Sequence, residues 1–214
     1  MKVAVFISGR GTNLQALIDV CNQDDTPAEI ALVVSNRPNA QGLQRAAAAG
    51  IATVAIDHTT FDSREEFDRA LDTAVRRAGC EFICLAGFMR VLTDDFMRDW
   101  RDRILNIHPA ILPAFPGLNC HARAIEAGVK ITGCTVHYAR PELDNGPIVA
   151  QAAVPVMPDD TEETLAARIL EAEHQIYPMA LKLIAQGRVR VVNEIVRIQN
   201  VDLADGKLIN PVSA

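Results

Sequence analysis

The sequence predicts an α/β protein built on a doubly wound, Rossmann-like, mostly parallel sheet, with an antiparallel addition in its C-terminal half. Three observations carry that prediction. Short, nearly continuous apolar runs recur through the first half of the chain, as in strands buried on both faces of a parallel sheet. Segments of helical spacing separate them, giving βαβ units whose right-handed crossovers leave the doubly wound arrangement as the default. Between residues 131 and 156 two strands instead flank a tight polar turn, the pattern of an antiparallel pair.

Residues 2–7, KVAVFI, are the first strand; SGRGTN then turns the chain into a helix with Leu14, Leu17, Ile18 and Cys21 on one face. EIALVVSN (29–36) is the second strand, and QGLQRAAAAG (41–50) is a helix stopped by Gly50. IATVAID (51–57) is the third strand. Ser63 and Glu66 form a capping-box pair that opens a helix through Arg77, closed by Gly79. EFICLAG (81–87) and RILNI (103–107) are the fourth and fifth strands. HARAIEAG (121–128) is a short helix, ITGCTVHYA (131–139) a strand, PELDNGP a turn, and IVAQAAVPV (148–156) the returning strand. Thr161 and Thr164 precede a long helix to about Ala185, expected to break near Tyr177-Pro178 because proline lacks the backbone donor. RVRVV and EIVRIQ suggest a last hairpin, and no pattern is legible after Val201.

A length of 214 residues suits one domain with a substantial core, and 49% apolar with 22% charged residues is ordinary for a globular protein. The net charge of −6 disfavours non-specific binding to nucleic acid or anionic membrane. An anionic small substrate would need a local positive site. Met1-Lys2 leads straight into VAVFIS, too short and wrongly flanked for a signal peptide, and no apolar run reaches the roughly 18 residues of a membrane span. A cytoplasmic protein is expected. The five cysteines, Cys21, Cys80, Cys84, Cys120 and Cys134, are odd in number and lack a C-x-x-C pair. They read as small buried hydrophobes rather than a disulfide framework or a zinc site.

Two stretches can carry chemistry. Ser8-Gly9-Arg10-Gly11-Thr12-Asn13 resembles a phosphate cradle, since glycines admit an anion to the backbone and a helix N-terminus favours negative charge. It lacks the third glycine of G-x-G-x-x-G and the G-K-[ST] of a P-loop, so a phosphate monoester fits better than NAD or ATP. A tight βα turn with Thr12 or Asn13 as N-cap is the competing reading. The second stretch is ILNIHPAILPAFPG (104–117), a strand ending in a stiff proline loop, with Asn106 and His108 projecting from one face. Asp144 in ELDNGP is either a turn residue or the partner of His108; a carboxylate beside an imidazole favours its charged form and keeps a general acid at hand. Asn106 adds a neutral N–H donor for a developing oxyanion, and the trio suits acyl transfer. A zinc site from His108, His121, His137 and Asp144 is a minority reading, because no two histidines have the i, i+4 spacing. His58 and His174 have no expected chemical role.

ISGRGTNLQ near the start, AGFMRVL at 86–92, ILNIHPAILPAFPG and ELDNGPIVAQ at 142–151 closely resemble phosphoribosylglycinamide formyltransferase, a folate-dependent family of purine biosynthesis. The resemblance implies the formyltransferase fold in a single domain over 1–214, with a phosphate-binding half at about 1–100 and a catalytic, folate-binding half at about 101–200. It implies transfer of the formyl group of 10-formyltetrahydrofolate to the amine of 5′-phosphoribosylglycinamide, with no metal, no nucleic acid and no membrane, by a monomer or homodimer. Asn106, His108 and Asp144 would be catalytic. Gly11, Thr12 (where the family often has Ser) and Asn13 would hold the phosphate, and Glu173 the ribose. Arg64, Met89, Arg90, Val91, Leu92, Asn106, Arg140, Pro141, Glu142, Leu143 and Asp144 would line the folate pocket. The nearest rival is a formyltetrahydrofolate deformylase, with the same trio and water as acceptor, but that family typically carries an extra N-terminal regulatory domain, whereas strand one here starts at residue 2. A methionyl-tRNA formyltransferase would need a further C-terminal domain, and a non-catalytic nucleotide-binding module would need none of the trio.

Overall fold

The computed structural model describes residues 1–200, 202, 206 and 208–210, so the patternless tail expected after Val201 lies largely outside the described residues. Strands β1 (Lys2–Ile7), β2 (Glu29–Ser35), β3 (Thr53–Ala55), β4 (Phe82–Leu85), β5 (Ile104–His108), β6 (Ile131–Tyr138) and β7 (Ile148–Pro155) form one sheet in the order β3-β2-β1-β4-β5-β6-β7. The first five pair in parallel, and β6 and β7 add antiparallel. Strand order reverses between β1 and β4, so the loops leaving their carboxyl ends border the crevice where such sheets bind ligands. The expected doubly wound sheet with its antiparallel addition is what forms.

Alternate residues of each strand feed two cores. Val3, Val5 and Ile7 point to the face covered by α1 (Thr12–Cys21), α2 (Gln41–Ala48), α5 (Cys120–Glu126) and α6 (Glu162–Ala185). Ala4 and Phe6 point to the face covered by α3 (Arg64–Arg77) and α4 (Asp94–Asp99), where Phe67, Leu71, Phe96 and Trp100 pack. A small hairpin, β8 (Val189–Val192) and β9 (Ile195–Ile198), follows α6. All five cysteines are free, four of them buried, and burial pushes their thiols up, Cys134 to about 12. No helix of the described residues is long and apolar enough to cross a membrane.

Four local expectations are corrected. The third strand covers three residues rather than 51–57, because it is the sheet edge and pairs with β2 alone. Helix α4 and a 3-10 turn at His58–Thr60 were not anticipated; both are too short to show helical periodicity. A signal for α4 did exist in Thr93, whose hydroxyl accepts from the Phe96 N–H at 3.3 Å. The Ser63 capping box is half formed, with Ser63 Oγ accepting from Glu66 N–H at 3.2 Å, whereas Thr161 and Thr164 make the complete reciprocal pair. Finally, α6 does not break at Pro178. Proline forfeits one intrahelical bond, but Tyr177, Ala180 and Leu181 around it are fully buried, and that packing carries the helix through.

Tyr177 also ties α6 to the sheet. Its buried hydroxyl lies 3.0 Å from both the Leu85 and the Leu105 carbonyls, at the strands that lead into the candidate site. Tyr177→Phe removes that donor while keeping the ring, and should cost about 1–2 kcal/mol. A urea titration checks it: the midpoint should fall at unchanged slope.

Candidate active site

Strand β5 delivers the central pair. Asn106 and His108 share a face, His108 buried and Asn106 partly so. Antiparallel pairing sets His137 of β6 directly opposite Asn106, and Thr135 opposite His108. The Asn106 amide nitrogen sits 3.2 Å from His137 Nε2, and His137 Nδ1 sits 3.1 Å from the Tyr138 carbonyl. A carbonyl only accepts, so Nδ1 carries the proton and Nε2 accepts from Asn106. Burial holds His137 below the ordinary histidine value, against the opposing pull of the Tyr138 carbonyl and of Asp144. A neutral His137 thereby sets which way the Asn106 amide faces.

Asp144 comes from the loop between β6 and β7, with its backbone at φ 51°. Its Oδ2 accepts a 2.7 Å bond from the Gly117 N–H and lies 3.3 Å from His108 Nδ1. His108 Nε2 donates to the Phe115 carbonyl at 3.0 Å, with Cys120 Sγ 3.5 Å away. Both ring nitrogens thus face acceptors, a pattern that a doubly protonated imidazole satisfies. The proline-rich segment between them is pinned. Thr135 Oγ1 accepts from Leu112 N–H at 3.0 Å and donates to the Ala110 carbonyl at 2.7 Å, and Gln151 Nε2 donates to the Leu112 carbonyl at 2.9 Å.

At the end of β1, Gly11 rather than Thr12 or Asn13 caps α1, at φ 73°. A Cβ there would lie 2.7 Å from Gly42 Cα, so the close approach of α2 requires glycine. No side chain caps α1, which leaves its first-turn N–H groups aimed out of the helix as an anion site requires. The Asn13 side chain is buried and donates to Glu173 Oε2 at 2.7 Å. Burial pushes the Glu173 carboxyl up, and the Asn13 bond offsets this in part. Ser8 stands apart from the cradle: its buried hydroxyl donates to Asn36 Oδ1 at 2.5 Å and accepts from the Met89 N–H at 2.7 Å. A cavity of about 430 Å³ opens beside the helix start, with Thr12, Gln15, Arg45 and His174 among its lining residues.

The residues expected around folate divide. Met89, Arg90 and Val91 are exposed beyond β4, as are Arg64 at the start of α3 and Pro141, Glu142 and Leu143 on the Asp144 loop. Leu92 instead belongs to the core. Arg140, in the turn expected to line the folate pocket, is turned inward: its guanidinium is committed to Asp102, Glu194 and the Ala139 carbonyl. No three His, Cys, Asp or Glu side chains among the described residues form a metal-binding group. His137, considered from sequence only as a metal ligand, is the residue that reading missed as the partner of Asn106. Arg45 and His174 beside Thr12 were also passed over. Only the β5–β6 register could have revealed His137.

The fold is that of a known class: the chain belongs to the formyl transferase family, whose model matches residues 1–181. It is 52% identical over 191 residues to the trifunctional purine biosynthetic protein adenosine-3 of Gallus gallus, covering 89% of this chain and 19% of that protein. The chain therefore spans about a fifth of the length of such relatives. It is 43% identical to the phosphoribosylglycinamide formyltransferase of Escherichia coli, covering 89% of this chain and 90% of the relative. Among solved structures, glycinamide ribonucleotide transformylase 1 from Symbiobacterium toebii superposes with a TM-score of 0.90 at 46% identity, over 92% of this chain and 93% of that one. A formyltetrahydrofolate deformylase from Pseudomonas syringae superposes at 0.84 with 26% identity, over 92% of this chain and 65% of its own.

The burial of His137 has a consequence for stability. Its contribution is intact above the ordinary histidine value of 6.5 and is lost as pH falls below it, because the unfolded chain takes up a proton that the native ring refuses. His121 and His174, also held down by burial, act in the same sense, while Glu173, pushed up, acts oppositely from its ordinary 4.5 upward. Urea midpoints should therefore drop between about pH 7.5 and about pH 5.5, and less steeply in His137→Gln. Equal slopes in the two proteins would remove His137 as a source.

Proposed function

We propose that the chain transfers the formyl group of 10-formyltetrahydrofolate to the amine of 5′-phosphoribosylglycinamide, in the cytoplasm, as a step of purine biosynthesis. The observation that carries this reading is the meeting of Asn106, His108 and Asp144 at the end of β5. The glycine-capped start of α1 supports a phosphorylated acceptor. In this reading residues at about 1–100 supply the phosphate site, and those at about 101–200 the catalytic and folate site.

The substrate amine attacks the formyl carbon and forms a C–N bond, and the carbonyl oxygen takes up negative charge. The Asn106 N–H and the protonated His108 ring stabilise that oxygen, which requires His108 to exchange one of its present acceptors for the substrate. Asp144 Oδ2, 3.3 Å from His108 Nδ1, orients the ring. The bond from carbon to folate N10 then breaks, and the proton lost by the amine passes to N10. The first-turn N–H groups of Thr12 and Asn13, with Gly11, hold the phosphate. Arg45 beside Thr12 helps to provide the local positive field that the net charge of −6 makes necessary. Glu173, held by Asn13, faces the ribose. The exposed Met89–Val91 and Pro141–Leu143 segments, with Arg64, border the folate.

The deciding measurement is loss of the formyl group from 10-formyltetrahydrofolate, followed by absorbance with and without the glycinamide ribonucleotide. Loss only in its presence is expected. Equal loss without it would make water the acceptor and the chain a deformylase. Asn106→Ala should lower kcat by about 10²–10³, the cost of one oxyanion donor. A kcat near that of the parent would take Asn106 out of the mechanism.

A further inference from the structure

Beyond the trio, a cluster of charges sits at the foot of the loop that bears Asp144. Arg140, the second residue after β6, is buried, and its guanidinium makes three bonds. Nε donates to Glu194 Oε2 at 2.7 Å, Nη2 to Asp102 Oδ1 at 2.5 Å, and Nη1 to the Ala139 carbonyl at 3.0 Å. Arg101 pairs with the other Glu194 oxygen. Asp102 lies two residues ahead of β5, the strand that carries Asn106 and His108, and Glu194 sits in the turn between β8 and β9. Both turn residues have left-handed backbones, φ 58° and 59°.

We propose that Arg140 and Glu194 are positioning residues for Asp144. The C-terminal hairpin clamps the foot of the 140–146 loop against the entry to β5, and so fixes where the loop sets its carboxylate. The course of the loop explains why a clamp is needed. Because β6 runs antiparallel to β5, residue 139 emerges beside the start of β5, where the Ala139 N–H bonds the Ile104 carbonyl at 2.9 Å. Asp144 must then reach back to His108 at the other end of β5. Between these points Pro141, Glu142 and Leu143 are exposed, so the loop is held at its foot and at Asp144. A planar guanidinium with fixed donor directions orients the foot as well as attaching it. Gly146, at the far end of the loop, packs beside the same side chain: a Cβ there would lie 3.2 Å from Arg140 Cγ. The hairpin lies beyond residues 1–181 matched by the family model.

The kinetic part of the test rests on the transfer reaction proposed above; the exchange part does not. In unliganded Glu194→Ala, amide hydrogen exchange across 140–147 should speed up about tenfold while α1 is unchanged. In transfer assays kcat should fall about tenfold, with KM for the ribonucleotide unchanged and Glu194→Gln restoring part of the loss. Unchanged exchange at 140–147, or a rise spread evenly over α1 and the sheet, would overturn the clamp. Faster exchange with kcat within about twofold of the parent would overturn its role in positioning Asp144. A parent chain inactive in transfer would sink the assigned reaction, and exchange at 140–147 would still decide the clamp.

Discussion

The carboxylate of Asp144 is the interaction on which the site depends. Its side chain is only 8% exposed, and a charge buried to that degree is tolerable only when paired and hydrogen-bonded. The Gly117 N–H and His108 supply that compensation, and in doing so they join loops 27 residues apart in sequence. The surrounding backbone is shaped to the same end. Phe115, Asn119 and Asp144 all hold left-handed conformations, each costing on the order of 1 kcal/mol for a residue with a Cβ. Phe115 uses its conformation to direct a carbonyl at His108 Nε2. Such outliers persist where surrounding contacts over-determine them, and at Phe115 and Asp144 those contacts include His108.

The two histidines of the site sit in different environments. His108 faces two acceptors, while His137, a strand away, is held toward its neutral form by burial, against the opposing pull of the carbonyl at its Nδ1. One imidazole can therefore serve as a proton-bearing group while the other only orients an amide. Neighbouring titratable groups with diverging environments commonly divide acid and positioning duties in this way. At the first helix, backbone donors left without a side-chain cap lie at a glycine, within a chain of net charge −6.

The scaffold keeps these groups still. Thr135 and Gln151 fasten the proline-rich segment, Tyr177 links α6 to the carbonyls of β4 and β5, and Ser8 bridges the ends of β1 and β2 to the Met89 amide. Thr135 and Gln151 reach from strands to a loop that borders the site, Tyr177 ties a helix to two strands that lead into it, and Ser8 joins the loops after β1, β2 and β4. The site is thus built on loops whose backbone donors and acceptors are claimed by rigid elements, the arrangement that holds reacting groups in register.

The sequence by itself determined everything that depends on local period and local chemistry. Apolar runs fixed to a strand period, the glycine turn after β1, the Thr161 cap and the placement of Asn106 and His108 on one face all follow from neighbours a few residues apart. The family motifs carried the trio further, to Asp144. Tertiary structure alone decided what depends on register and packing. His137 stands opposite Asn106 because of how β6 pairs with β5, Arg140 turns inward because Asp102 and Glu194 meet there, and α6 runs through Pro178 because both sides of it are buried. Those partners lie 31, 38 and 54 residues apart, beyond the reach of any local pattern, and only the closed sheet brings them together.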